Sequence, residues 1–172
     1  INLLCDLSNK YLAYKPRLAK EYANEALKLS KEIGYKKGEA LALNRISDYE
    51  FRQSNYADAA EISSEVVKIA IEMNDSMMLA NAYRVLGNIN NAGLERYDVA
   101  EEYQLKAYDI YSKLNDRVNV AATCGSLSWI YAMTSLELDR ANYLADEGIM
   151  ISREISHHQF LGYNLNSKAL IY

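Results

Sequence analysis

Ala19, Ala59, Ala100 and Ala141 recur at a spacing of 40 and then 41 residues, and four more columns keep the same register. These are Tyr22, Ile62, Tyr103 and Leu144; Ala26, Val66, Ala107 and Gly148; Leu29, Ile69, Ile110 and Ile151; and Ala40, Ala80, Ala121 and Gly162. Five columns in one register are hard to obtain by chance. A period of this length suits a hairpin of two helices, which cannot bury both faces alone and must stack on its neighbours. Such an array offers an extended surface rather than an enclosed catalytic pocket.

Within one period the apolar spacing is helical. Ala40, Leu43, Ile46 and Ser47 share one face, and Ala59, Ile62, Val66 and Ile69 form the stripe of a second helix. Gln53-Ser54-Asn55 separates the two, because short polar side chains compete with helical hydrogen bonds. The second helix ends near Met73-Asn74-Asp75, whose equivalents are Leu114-Asn115-Asp116, Ile155-Ser156-His157 and Ile33-Gly34-Tyr35. Gly34 suits a left-handed helix cap, and Pro16 suits a first helical turn. The spacing predicts an all-α single array over 1–172, with units of about 1–34, 38–75, 78–116 and 119–157 and a lone helix over 159–172. Ser47 to Tyr56 spans nine positions and Gly87 to Tyr97 ten, which places the extra residue of the longer periods in the turn inside the hairpin. Ser47, Gly87, Ser128 and Ala169 form a small-residue column on the first helices, facing the Ala19 column on the second.

Composition narrows the function. The net charge of −4 argues against a general nucleic-acid binder. Residues 1–38 hold eight Lys/Arg against four Asp/Glu, a solvated first hairpin or a basic patch for an acidic partner. Most of the fifteen tyrosines fall at helical spacing and read as core. Cys5 and Cys124 share no metal-like spacing and fit a reduced, cytoplasmic chain. No apolar run reaches membrane-span length and no signal peptide is visible. His157 and His158 are adjacent, which points them in different directions rather than at one metal. Without a nucleophile elbow or a glycine-rich phosphate loop, the expectation is no enzyme, no catalytic residue, no metal and no cofactor.

Ser54-Asn55-Tyr56-Ala57-Asp58-Ala59-Ala60-Glu61 and Glu95-Arg96-Tyr97-Asp98-Val99-Ala100-Glu101-Glu102-Tyr103 resemble the inter-helix signature of tetratricopeptide repeats. So do Leu86-Gly87-Asn88-Ile89 and Leu127-Ser128-Trp129-Ile130-Tyr131. The resemblance spans the chain. It departs from the family in its long period, in the missing repeat-ending proline and in Val66, where alanine is usual. HEAT-type and armadillo arrays share a period near forty but would not call for the Tyr-Asp-x-Ala turn. The longer period is similar to the subclass found in bacterial signalling proteins and peptide-sensing regulators.

The resemblance implies a right-handed superhelical solenoid of antiparallel helix hairpins that binds a protein or peptide along the first helix of each hairpin. By register the groove positions are Asn44, Arg45, Asp48 and Arg52, then Asn81, Arg84, Asn88 and Asn91, then Trp129 and Met133. Asparagine amides pair with both donor and acceptor of an extended backbone, and arginine pairs bidentately with carboxylates. A clamp for a peptide C-terminal carboxylate is not expected, because Ser126, Tyr163 and Ser167 stand where later basic or Asn residues would be. Apolar ends (Ile1, Leu3, Leu4 and Leu7; Phe160, Leu161, Leu165, Leu170 and Ile171) and a start at Ile1 imply a fragment of a longer array, or an end that pairs two copies. The resemblance implies the sensory or scaffolding region of a signalling protein with a histidine kinase or diguanylate cyclase output. The alternatives are a peptide-sensing regulator of the quorum-sensing kind and a free-standing adaptor.

Overall fold

The computed structural model describes residues 1–135 and 137–171. Among them are nine α-helices and no strand: α1 Asn2–Tyr11, α2 Pro16–Glu32, α3 Lys36–Arg52, α4 Tyr56–Glu72, α5 Ser76–Ala92, α6 Tyr97–Lys113, α7 Arg117–Thr134, α8 Leu138–Glu154 and α9 His158–Ala169. Tyr172, the last residue of the helix expected over 159–172, lies outside the described residues. The helices form two compact units, Ile1–Ala82 and Tyr83–Tyr172, with the boundary inside α5.

The turns repeat because one backbone device closes them. Gly34, Ser54, Asn74, Asn115 and Ser156 all take the left-handed conformation. The following N–H then reaches back to the last helical turn: Tyr35 to the Ser30 carbonyl at 2.8 Å, Asn55 to Glu50 at 2.9 Å, Asp75 to Ala70 at 3.0 Å, Asp116 to Tyr111 at 3.0 Å and His157 to Ser152 at 2.8 Å. These bonds satisfy carbonyls that the helix end leaves open. In the third hairpin the extra residue lies in the turn, where 93–96 replaces the three-residue turn 53–55. In the fourth it lengthens α7 to 18 residues instead, so the expected turn insertion holds for one hairpin of the two.

Glu95 also adopts the left-handed conformation, at φ 53°, where a Cβ is sterically opposed. Glu95→Gly should therefore stabilise the second unit by about 0.5–1 kcal/mol, the relief exceeding the added chain entropy. Urea unfolding followed by the fluorescence of Trp129 checks it, and a loss of stability would show that the Glu95 side chain does more than tolerate the turn.

In the first unit Ala40, Leu43, Val66, Ile69 and Ala82 form a core on which Leu27, Ile62, Val67 and Met78 pack. Cys5, Ala26 and Ala42 form a second cluster beneath Leu4 and Leu27. The small-residue columns meet as their spacing predicts. The Ser47 hydroxyl lies 3.0 Å from the Ala59 carbonyl, to which it donates, and 2.7 Å from the Ser63 hydroxyl, all buried.

In the second unit Ala100, Ala107, Ala141 and Ala145 are fully buried, and Leu127, Ile130 and Tyr131 are buried as well. The buried side chains of helix α9 are polar, Asn164 and Ser167. Asn164 donates to the Ala121 carbonyl at 3.0 Å and Ser167 to the Gly125 carbonyl at 3.1 Å. Side chains at Gly125 and Gly148 would collide with Tyr163 and Asn164. His157, expected only in a solvated turn, accepts from the Phe160 N–H at 3.3 Å and so caps α9. No described helix is long and apolar enough to cross a membrane.

Candidate binding face of the first helices

The expected groove residues all sit on first helices: Asn44, Arg45, Asp48 and Arg52 on α3, Asn81, Arg84, Asn88 and Asn91 on α5, and Trp129 and Met133 on α7. Most are half-buried, while Arg52 and Met133 are exposed.

In the first unit Arg45 donates to Asp48 at 3.0 Å and to Asn9 on α1 at 3.3 Å. The Arg45–Asp48 pair is partly solvated, and such a pair contributes little to stability. Its partners can therefore be exchanged for a ligand at small cost. The Arg45 Nε and the Asn44 Oδ1 are buried without a hydrogen-bond partner within the protein. Asn44 and Asn81 face one cleft of about 210 Å³, lined also by Lys37, Ala40, Leu41, Asp75, Met77 and Met78.

The second unit uses two of its groove residues internally. Asn88 accepts from the buried Gln104 at 2.8 Å. Arg84 hydrogen-bonds the buried Tyr111 hydroxyl, whose pKa burial pushes up against the pull of the guanidinium. The Arg84 Nε and the Asn91 Oδ1 are left buried and unpartnered. Trp129 packs on Tyr97 of α6, ring centroids 6.1 Å apart at 52°. Its indole is thus partly committed to the helix pair, and Met133 stands free of it, half exposed.

Sequence reading missed Lys37, Leu41, Met77 and Met78. The signal was present: Lys37, Leu41 and Asn44 follow helical spacing, and Lys37 and Met77 are register mates. The remaining clusters are poorly placed for covalent chemistry. Cys124 is fully buried on α7, and burial and the Glu147 carboxylate beside it push its thiol pKa well above the usual range. A nucleophilic cysteine needs the opposite shift. Tyr108 donates to both oxygens of the same Glu147, at 3.0 and 3.1 Å, and is likewise raised by burial and by that carboxylate.

No family model matches the chain, and no curated protein sequence matches it. Solved structures do share the fold. Aspartyl phosphate phosphatase F from Bacillus subtilis superposes with a TM-score of 0.91 at 16% identity, over 99% of this chain and 44% of its own. A Rap protein complexed with Competence and Sporulation Factor gives 0.86 at 19% identity, over 98% and 50%. A signal transduction ATPase with numerous domains from Pyrococcus horikoshii, with a tetratricopeptide repeat sensor, gives 0.81 at 22% identity, over 94% and 25%. The chain spans half or less of the length of these three proteins. The fold is thus an all-α array of antiparallel helix hairpins of the tetratricopeptide kind.

Proposed function

We propose that this chain is the ligand-binding repeat segment of a cytoplasmic peptide-sensing regulator, and that it holds an extended peptide on its first helices. The observation that carries the reading is found in each unit taken by itself: Asn44 Oδ1 and Arg45 Nε in the first, and Arg84 Nε and Asn91 Oδ1 in the second, are buried first-helix atoms with no partner within the protein. A buried polar atom left unpaired is costly, and an extended backbone supplies both donors and acceptors at short intervals. The likeness to a Rap protein complexed with Competence and Sporulation Factor supports this reading over the sensory segment of a kinase or cyclase, to which none of the three structures compared above points. The role is recognition. Signalling requires only that the peptide bind two conformations of the array unequally.

The test avoids Arg84 and Asn88, whose loss would also disturb Tyr111 and Gln104. Arg52 on α3 and Met133 on α7 are exposed. Peptides selected from a random display library on the intact chain should bind Arg52→Ala or Met133→Ala at least about ten-fold more weakly, about 1.4 kcal/mol by calorimetry, with thermal stability unchanged. Unchanged affinity in both variants, or no selectable peptide, would overturn the reading.

A further inference from the structure

The cleft between α3 and the start of α5 has the chemistry of a single-residue pocket. Its volume of about 210 Å³ is below the roughly 300–1,000 Å³ of pockets that enclose a drug-sized ligand or cofactor. It suits one side chain. Ala40, Leu41, Met77 and Met78 make its apolar surface, and Asn44 and Asn81 stand on either side, one from each helix. Methionine is unbranched and polarisable, so it moulds to a flexible aliphatic group better than a rigid wall would. Met77 is more than a third exposed and Met78 is half-buried against the core, so one wall can adjust while the other holds.

The Asn44 Oδ1 is buried and unpartnered, an acceptor that lacks an N–H. A backbone amide adjoining the inserted side chain supplies one. The register explains why this acceptor is free. Arg84 is the equivalent of Asn44 one repeat later, and its guanidinium reaches the Tyr111 hydroxyl while its Nε stays unpartnered; the equivalent of Tyr111 in the earlier repeat is Ala70. The residue that closes the site in one repeat is too small to close it in the other.

The geometry points to this cleft as the pocket that sets side-chain specificity: it takes one leucine or methionine side chain of an extended peptide, with the neighbouring backbone N–H donated to Asn44. Lys37 and Asp75 border the apolar surface with opposite charges, so a charged side chain driven into the pocket gains one attraction, suffers one repulsion and loses its hydration. This inference rests on the peptide-binding reading and adds the residue class that the peptide must present.

Methionine methyl NMR reads the site directly, because the chain has five methionines and only Met77 and Met78 line the cleft. The probes are acetylated, amidated pentapeptides with Leu, Met, Ala, Glu or Lys at the centre of four serines, together with the strongest display-selected peptide. The Leu and Met probes should shift the Met77 and Met78 methyls saturably, at least ten-fold more tightly than the Ala, Glu and Lys probes. Asn44→Leu should weaken them at least ten-fold while leaving the five methyl signals of the free protein dispersed. Equal response to all probes, or Leu binding undiminished in Asn44→Leu, overturns the pocket. If the selected peptide shifts Met133 alone, the pocket fails and the peptide-binding reading stands. Silence at every methionine with every peptide overturns both.

Discussion

Gly87→Ser should destabilise the second unit by about 1–3 kcal/mol, the usual cost of overpacking a tight core. A Cβ at Gly87 would lie 2.7 Å from the Gln104 Nε2 and 2.8 Å from both its Cδ and Cγ. The clash reaches into the stem of the side chain, so rotating the amide alone does not relieve it. Gln104 is fully buried and tied to the Asn88 Oδ1 at 2.8 Å, and it has no solvent-filled space to enter. One repeat earlier the same two columns hold Ser47 and Ser63, which meet at 2.7 Å. The large residue of one column faces the smallest of the other, so the pair conserves volume where neither column does. Gln104→Ser added to Gly87→Ser should thus return most of the lost stability, because it rebuilds the serine pair found in the first unit. Trp129 fluorescence in urea reports the unit concerned. Losses that simply add in the double variant would show that the two positions do not share one space.

That pair also explains how far the sequence can be read along the first helices. The helices and turns were legible because column periodicity and polar turn residues are local signals. The turns at 33–35, 53–55, 73–75, 114–116 and 155–157 fall on the expected tripeptides, while the α5–α6 connection and α7 each hold one residue more. The first-helix placement of Asn44, Asn81, Arg84 and Asn88 was legible for the same reason. The use of their side chains was not. Asn88 turns to Gln104 because Gln104, opposite a glycine, is long enough to reach it, and the equivalent Ser63 is taken by Ser47. Arg84 turns to Tyr111, while Asn44 has only Ala70 in the corresponding place. In these two cases, whether a polar residue of a first helix turns inward is decided by a residue sixteen or twenty-seven positions away on the neighbouring helix. Single-column reading does not carry that information; comparing paired columns does.

Lys20→Met should cost the first unit about 1–3 kcal/mol at neutral pH, the penalty of a buried acceptor stripped of a donor, and should reverse how Glu50 responds to acid. Lys20 Nζ lies 2.7 Å from Glu50 Oε1 and 4.8 Å from the Tyr49 ring centroid, and Asn55 donates to Glu50 Oε2 at 2.7 Å. Burial is the largest influence on Glu50 and raises its pKa, but Asn55 and Lys20 together outweigh it and hold the carboxyl below its ordinary value of 4.5. A depressed folded pKa stabilises above the ordinary value, and that contribution is lost as pH falls through the folded one. With Lys20 removed, burial opposes Asn55 alone and the pKa rises above 4.5. The carboxyl then contributes most below that value and loses its contribution as pH climbs through the raised pKa. The Lys20 side chain is 39% exposed, so solvent screens the Coulombic part of its influence and the direct hydrogen bond carries most of the effect. The difference in stability between wild type and Lys20→Met, from helix circular dichroism in urea, should therefore shrink as pH falls from 7 to 4. Adding Glu50→Gln to both proteins should make that difference independent of pH. A pH-independent difference with Glu50 intact would mean that Lys20 acts by packing its stem on Tyr49 and not through the carboxylate.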